Sequence, residues 1–239
     1  SFGVSSTMLL SSGLITLFFV KENFTPVPRG EDAPKQVSMW KLVAAPALLG
    51  LIAGMLAIRF SSAAVQPIMP LFVGELSGDP ANAATQAGLV MGVLGLTSAI
   101  SSVWLGRLGD KRGHRKILLI SMIGSGLVYL PMAASQAPWH LIVLSAVFGI
   151  FAGGTIPAAN ALVANMTAPE RRGAIYGVIA AATSVGGFLG PLIGAGIAAG
   201  FGFRFTFVLT GMVVLLVTAA MIYSIRHGGV STEESPTPA

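Results

Sequence analysis

Arg59, Ser62 and Gln66 stand three and four residues apart in an otherwise apolar run. On a helix that spacing puts them on one face, with Ala63 beside them. The face then carries a cation, a hydroxyl and an amide, a set able to hold a small solute by charge and hydrogen bonds. If the run crosses a bilayer, a charge at that depth costs about 2.5–3.5 kcal/mol, so Arg59 needs a cavity or a partner. Two readings stay open for it. It touches a solute, or it pairs with backbone carbonyls or with an acid outside this chain. Phe148, Phe151 and Thr155 share a second helical face by the same spacing. Packing is the plainer use of aromatics so placed, and a solute contact the sharper one. Chemistry beyond binding finds few candidates. There is no metal-ligand spacing, phosphate loop or serine nucleophile motif, which argues against an enzyme, a cofactor or a metal centre.

The elements that must carry these faces follow from composition. Hydrophobic residues make up 54% of the 239, and charged residues only 10%. An ordinary globular domain carries about 25% charged residues, so this chain reads as an all-α integral membrane protein. Seven runs approach the roughly 20 apolar residues that a bilayer requires. They are 3–20, 42–73, 87–105, 117–134, 139–163, 174–199 and 205–225. The first opens without a basic segment, so it reads as a helix that the chain enters part-way rather than a signal peptide. Residues 21–41 hold three prolines and seven charges and read as a linker. The tail 227–239 is polar and reads as disordered.

Basic residues fix the expected orientation. With the linker in the cytoplasm, that side collects twelve of the fourteen Lys and Arg, including Lys21, Lys41, Arg107, Lys111, Arg112, Arg115, Lys116, Arg171, Arg172 and Arg226. Only Arg204 falls opposite, beside Glu75 and Asp79, and Arg59 is within a span. The positive-inside rule then puts the C-terminus in the cytoplasm, and it assigns the net charge of +5 to topology rather than to nucleic acid. No Asp or Glu lies within a span. Trp40 and Trp139 read as interfacial anchors.

The connection after the third span reads Gly106-Arg-Leu-Gly-Asp110-Lys111-Arg-Gly113-His-Arg115-Lys116. This resembles the signature loop of the major facilitator superfamily, G-x-x-x-D-[RK]-x-G-x-[RK]-[RK], at every specified position. Gly186 to Ala195 is similar to the antiporter signature of that family's drug:proton branch, with Ala195 replacing its last glycine. The resemblance implies a six-helix bundle over 42–226, preceded by the last helix of another bundle over 1–20. It also implies alternating access, with Gly106, Asp110, Lys111, Gly113, Arg115 and Lys116 forming a conformational gate. Arg59, Ser62, Gln66, Phe148, Phe151 and Thr155 would line the cavity. Gly88 and Gly92, and Gly186, Gly190 and Gly194, are small residues spaced by four that let helices approach, and Pro191 suggests a kink. The implied function is efflux of small apolar or amphipathic solutes across the plasma (inner) membrane, in concert with an N-terminal bundle. If a proton is the coupling ion, its titrating group lies outside this chain. Uptake of a polar or anionic solute and a non-transporting scaffold or sensor are the alternatives.

Overall fold

The computed structural model describes residues 2–19, 45–78 and 80–227. The expected linker, Trp40 and the tail beyond 227 lie outside them. The described residues form eight helices and no strand: α1 (Phe2–Phe19), α2 (Pro46–Val65), α3 (Ile68–Ser77), α4 (Pro80–Arg112), α5 (His114–Ala133), α6 (Pro138–Met166), α7 (Pro169–Phe201) and α8 (Phe203–His227). The chain divides into two compact units, Ser1–Ser38 and Met39–Ala239. Helix α1 belongs to the first unit and the other seven to the second.

Among the described residues six helices are long and apolar enough to cross a membrane: α2, α4, α5, α6, α7 and α8. The sequence suggested seven. The apolar stretch of α1, Ser6–Phe18, is shorter than a span. The second span, expected as one run over 42–73, is broken at Gln66 and Pro67 into α2 and α3. Pro67 has no N–H to donate, and its ring crowds the carbonyl four residues back, so α2 ends there and α3 starts afresh. Helix α3 then runs to Ser77, which places Glu75 in a helix rather than in the expected loop over 74–86.

Within the second unit, connections are one to four residues long and sharply signalled. Helices α2, α6 and α7 each begin with a proline in the first turn, where its missing donor costs nothing. Gly78, Gly113 and Gly202 hold φ of 61°, 93° and 85°, and no other residue type among those described has positive φ. Such short links between long helices force neighbours to alternate in direction. Helix α4 packs on α6, α2 on α7 and α8, and α5 on α6 and α8. Two apolar clusters fill the bundle. One holds Phe72, Tyr129, Phe148 and Phe207; the other holds Leu51, Leu118, Met122 and Met221. Outward, Trp104 is 76% exposed and Phe188 70% exposed. A lipid-facing surface accounts for such side chains, whereas a water-facing one would not tolerate them in number.

Packing shows which small residues matter. A Cβ at Gly186 or Gly190 would meet Leu56 O at 2.8 Å or Phe60 O at 2.6 Å, so α7 lies directly against the α2 backbone along this ridge. The helix continues through Pro191. A Cβ at Gly88 or Gly92 would meet nothing within 4 Å, so among the described residues no helix packs on these two. Helix α4 instead turns its Leu94–Ser101 face to Gly149 and Gly153 of α6. There Ser101 donates to the carbonyl of Ile150 at 2.8 Å and to that of Gly149 at 3.2 Å.

Candidate functional site

A cavity of about 450 Å³ opens between α2, α4, α5 and α6, within the roughly 300–1,000 Å³ of small-molecule sites. Helix α2 contributes Ser62 and Val65, Gln66 follows at its C-terminal break, and Met69 comes from α3. Val90, Met91, Leu94, Gly95 and Ser98 come from α4, Tyr129 and Met132 from α5, and Ser145, Phe148 and Ala152 from α6. The wall is mainly apolar, with three methionines and two aromatic rings. Its polar atoms are three serine hydroxyls, one amide and the Tyr129 hydroxyl, and no charged side chain lines it.

Long-range packing builds the aromatic wall. The Tyr129 and Phe148 rings are 4.8 Å apart, and the Phe207 ring is 6.3 Å from that of Tyr129. Phe72 packs on Phe207 at 5.4 Å, tying α3 and α8 to the same group. Such tilted pairs hold their rings in place better than isolated aliphatic contacts. Arg204 braces the far side: its guanidinium donates to Ala133 O at 3.1 Å and sits 5.7 Å from the Phe72 ring centre. Ser62 of α2 is the polar neighbour of the Tyr129 side chain, and the two line the cavity together.

Of the residues read from sequence, Ser62, Gln66 and Phe148 come together around this cavity. Arg59 does not. It is exposed on α2, beside Gly187 of α7, where a Cβ would lie 3.4 Å from its Nε, and it makes no ion pair among the described residues. Phe151 packs its ring into the notch left by Gly124 of α5. Thr155 lies deeper, in a separate small chamber with Ser62, Tyr129 and Phe148. Helical spacing singles out neither Tyr129 nor the three methionines. The available signal was a phenol inside an apolar run, which needs a hydrogen-bond partner.

The basic connection is compact. Helix α4 ends at Arg112 and α5 begins at His114, so Gly113 alone joins them, its N–H donating to Gly109 O at 2.8 Å. At φ 93° a side chain would strain this link. Asp110, 73% exposed, is 3.2 Å from Nε2 of His114. The partner is thus the histidine rather than one of the adjoining Lys and Arg. A Cβ at Gly109 would press on the His114 ring, so this glycine makes room for the pair. At the same end of the bundle Arg172 donates to Ala164 O at 2.8 Å and Thr167 O at 3.2 Å, closing the last turn of α6.

Comparison with known proteins places this architecture. The chain is 33% identical over 232 residues to multidrug resistance protein MdtG of Salmonella typhimurium strain LT2, covering 97% of this chain and 57% of the relative. It is 32% identical over 230 residues to the protein of the same name from Enterobacter lignolyticus strain SCF1, covering 96% and 55%. The chain therefore spans little more than half the length of these relatives. A solved structure of peptide transporter POT in complex with alafosfalin superposes with a TM-score of 0.69 at 18% identity, over 85% of this chain and 45% of that one. That likeness is one of fold. Residues 51–238 match the family description Major Facilitator Superfamily. With its signature loop at the α4–α5 junction and its cavity walled by α2, α4, α5 and α6, this multi-pass membrane chain belongs to the Major Facilitator Superfamily.

Proposed function

We propose that this chain forms the C-terminal bundle of a secondary transporter that exports small apolar or amphipathic solutes by alternating access. The observation that carries the reading is the cavity wall. Met69, Met91 and Met132 are flexible and polarisable, Tyr129 and Phe148 offer ring faces, and a few hydroxyls and one amide supply orientation. Such surfaces repack around varied ligands, which suits a broad substrate range. The name of the MdtG relatives, multidrug resistance protein, agrees with it. Uptake of an anionic solute is less well supported, because Arg59 lies outside the lining.

In the proposed mechanism a second bundle completes the site, and rocking of the two exposes it to either side. The relatives' greater length supports such a partner. The basic ends of α4, α5 and α7 face the cytoplasm of a bacterial inner membrane, and the C-terminus lies on the same side. The Asp110–His114 connection acts as the gate, with Asp110 free to engage the partner bundle when the cytoplasmic side closes. If transport is proton-coupled, the titrating group lies on the other bundle. The test is flux from proteoliposomes holding the full-length protein, with an imposed pH gradient and an amphipathic fluorescent cation. Saturable, gradient-dependent flux supports the reading; flux equal to that of protein-free vesicles overturns it.

A further inference from the structure

Behind the Tyr129–Phe148 pair lies a second chamber of about 20 Å³, bounded by α2, α5, α6 and α8. Ser61, Ser125 and Thr155 line it, and they are only 1%, 5% and 3% exposed. None of their hydroxyl oxygens finds a hydrogen-bond partner among the described residues. Other buried hydroxyls also lack a partner, among them Ser121, Ser135, Ser145 and Thr167, but only here do three of them line one small chamber. Thr97, Thr183 and Thr218 each donate to the carbonyl four residues back, at 2.8, 2.8 and 2.6 Å, the ordinary resort of a helical hydroxyl. Three hydroxyls from three different helices forgo that bond and converge on one small space. Leaving each unpaired in an apolar interior is costly.

We propose that this chamber is a binding site for a single ordered water, bridging Ser61, Ser125 and Thr155. A volume of this size suits one water and little else, and a buried water typically makes about three hydrogen bonds. Each hydroxyl can donate or accept, so three of the water's four hydrogen-bonding positions are met. A sodium ion would fit less well, because no carboxylate lines the chamber to offset a charge at that depth. The wall between the chamber and the larger cavity consists of Ser62, Tyr129, Phe148 and Ala152, which line both. The water therefore ties α2, α5 and α6 together directly behind Tyr129 and Ser62. The inference is independent of what the protein transports.

Radiolytic hydroxyl labelling of the full-length protein tests it, since bound water split by X-rays oxidises the side chains it touches. Tyr129 borders the chamber, whereas Met132 borders only the larger cavity and serves as the internal reference. The expected result is ready oxidation of Tyr129 in the parent protein. It should fall at least about tenfold relative to Met132 in the Ser125→Ala, Thr155→Val double variant, the occupancy change expected from losing two hydrogen bonds. Thr155→Ser, which keeps the hydroxyl, should retain the label. Should the double variant not fold, the isosteric Thr155→Val alone should lower the label by a smaller factor. Labelling of Tyr129 that is absent in the parent, or unchanged in the variants, overturns the proposal. So does loss of the label on replacing potassium chloride by sodium chloride, which would assign the site to a cation.

Discussion

Ser62 and Tyr129 stand together at the wall of the larger cavity, yet they are not equivalent. Tyr129 is 2% exposed, whereas Ser62 is half-buried. Removing Ser62's hydroxyl takes the polar neighbour from a largely buried phenol, at a cost of up to about 1–3 kcal/mol, while removing Tyr129's leaves a serine able to meet solvent. Ser62→Ala is therefore expected to lower the melting temperature more than Tyr129→Phe does, as measured by thermal unfolding in detergent. Asp110 behaves differently, because its carboxylate is mostly exposed and its local contact is with His114. Asp110→Asn should leave melting nearly unchanged and lower turnover. An inside/outside labelling ratio of single-cysteine probes unchanged from the parent, together with unaltered flux, would reduce the loop to a topological turn. Legibility at this scale was uneven. Gln66 and Ser62 could be read because helical spacing fixes a shared face. Arg59 occupies the same register, but its side chain lies beside Gly187 of α7 and outside the cavity lining, and no sequence spacing reports that neighbour.

Helix contacts show why some glycines were legible and others not. A spacing of four makes a groove, but only a partner helix decides whether the groove is filled. Gly190 is filled: a Cβ there would meet Phe60 O at 2.6 Å and Ala63 Cβ at 2.8 Å. Gly190→Val should force α2 and α7 apart and cost about 1–3 kcal/mol. Gly88→Val meets open space among the described residues and should leave the bundle's melting within about 0.5 kcal/mol of the parent. Similar melting of the two variants would mean that the α2–α7 contact is wrong. Gly149 and Gly153 carry the α4–α6 contact and show the same four-residue spacing in sequence, so the signal was present without a means of ranking it. The break at Gln66-Pro67 was legible in principle from proline chemistry, although the continuous apolar run over 42–73 masked it. Gly113→Val should cost about 1–3 kcal/mol through the φ of 93°, and a matching loss of transport would be traced by comparing protein level with flux.

At the scale of the molecule, the six apolar helices, their alternating directions and the basic connections were all implied by composition and by one eleven-residue loop. Of the cavity only Ser62, Gln66 and Phe148 were legible, because the rest of its wall comes mainly from α4, α5, α6 and Met69 of α3, whose methionines look like any other apolar residue until packing selects them. The central claim is that this cavity holds the transported solute. Gly95 offers the most direct test: it lines the cavity, and a Cβ there meets nothing within 4 Å. Gly95→Phe should fill much of the space without disturbing the core, and Gly95→Ala should fill little of it. Saturable flux of an amphipathic solute by the full-length protein in proteoliposomes is the measurement. The account predicts that Gly95→Ala transports within about twofold of the parent, while Gly95→Phe, at equal protein level and melting temperature, loses tenfold or more, about 1.4 kcal/mol of transition-state free energy. Parental rate and affinity in Gly95→Phe would contradict it.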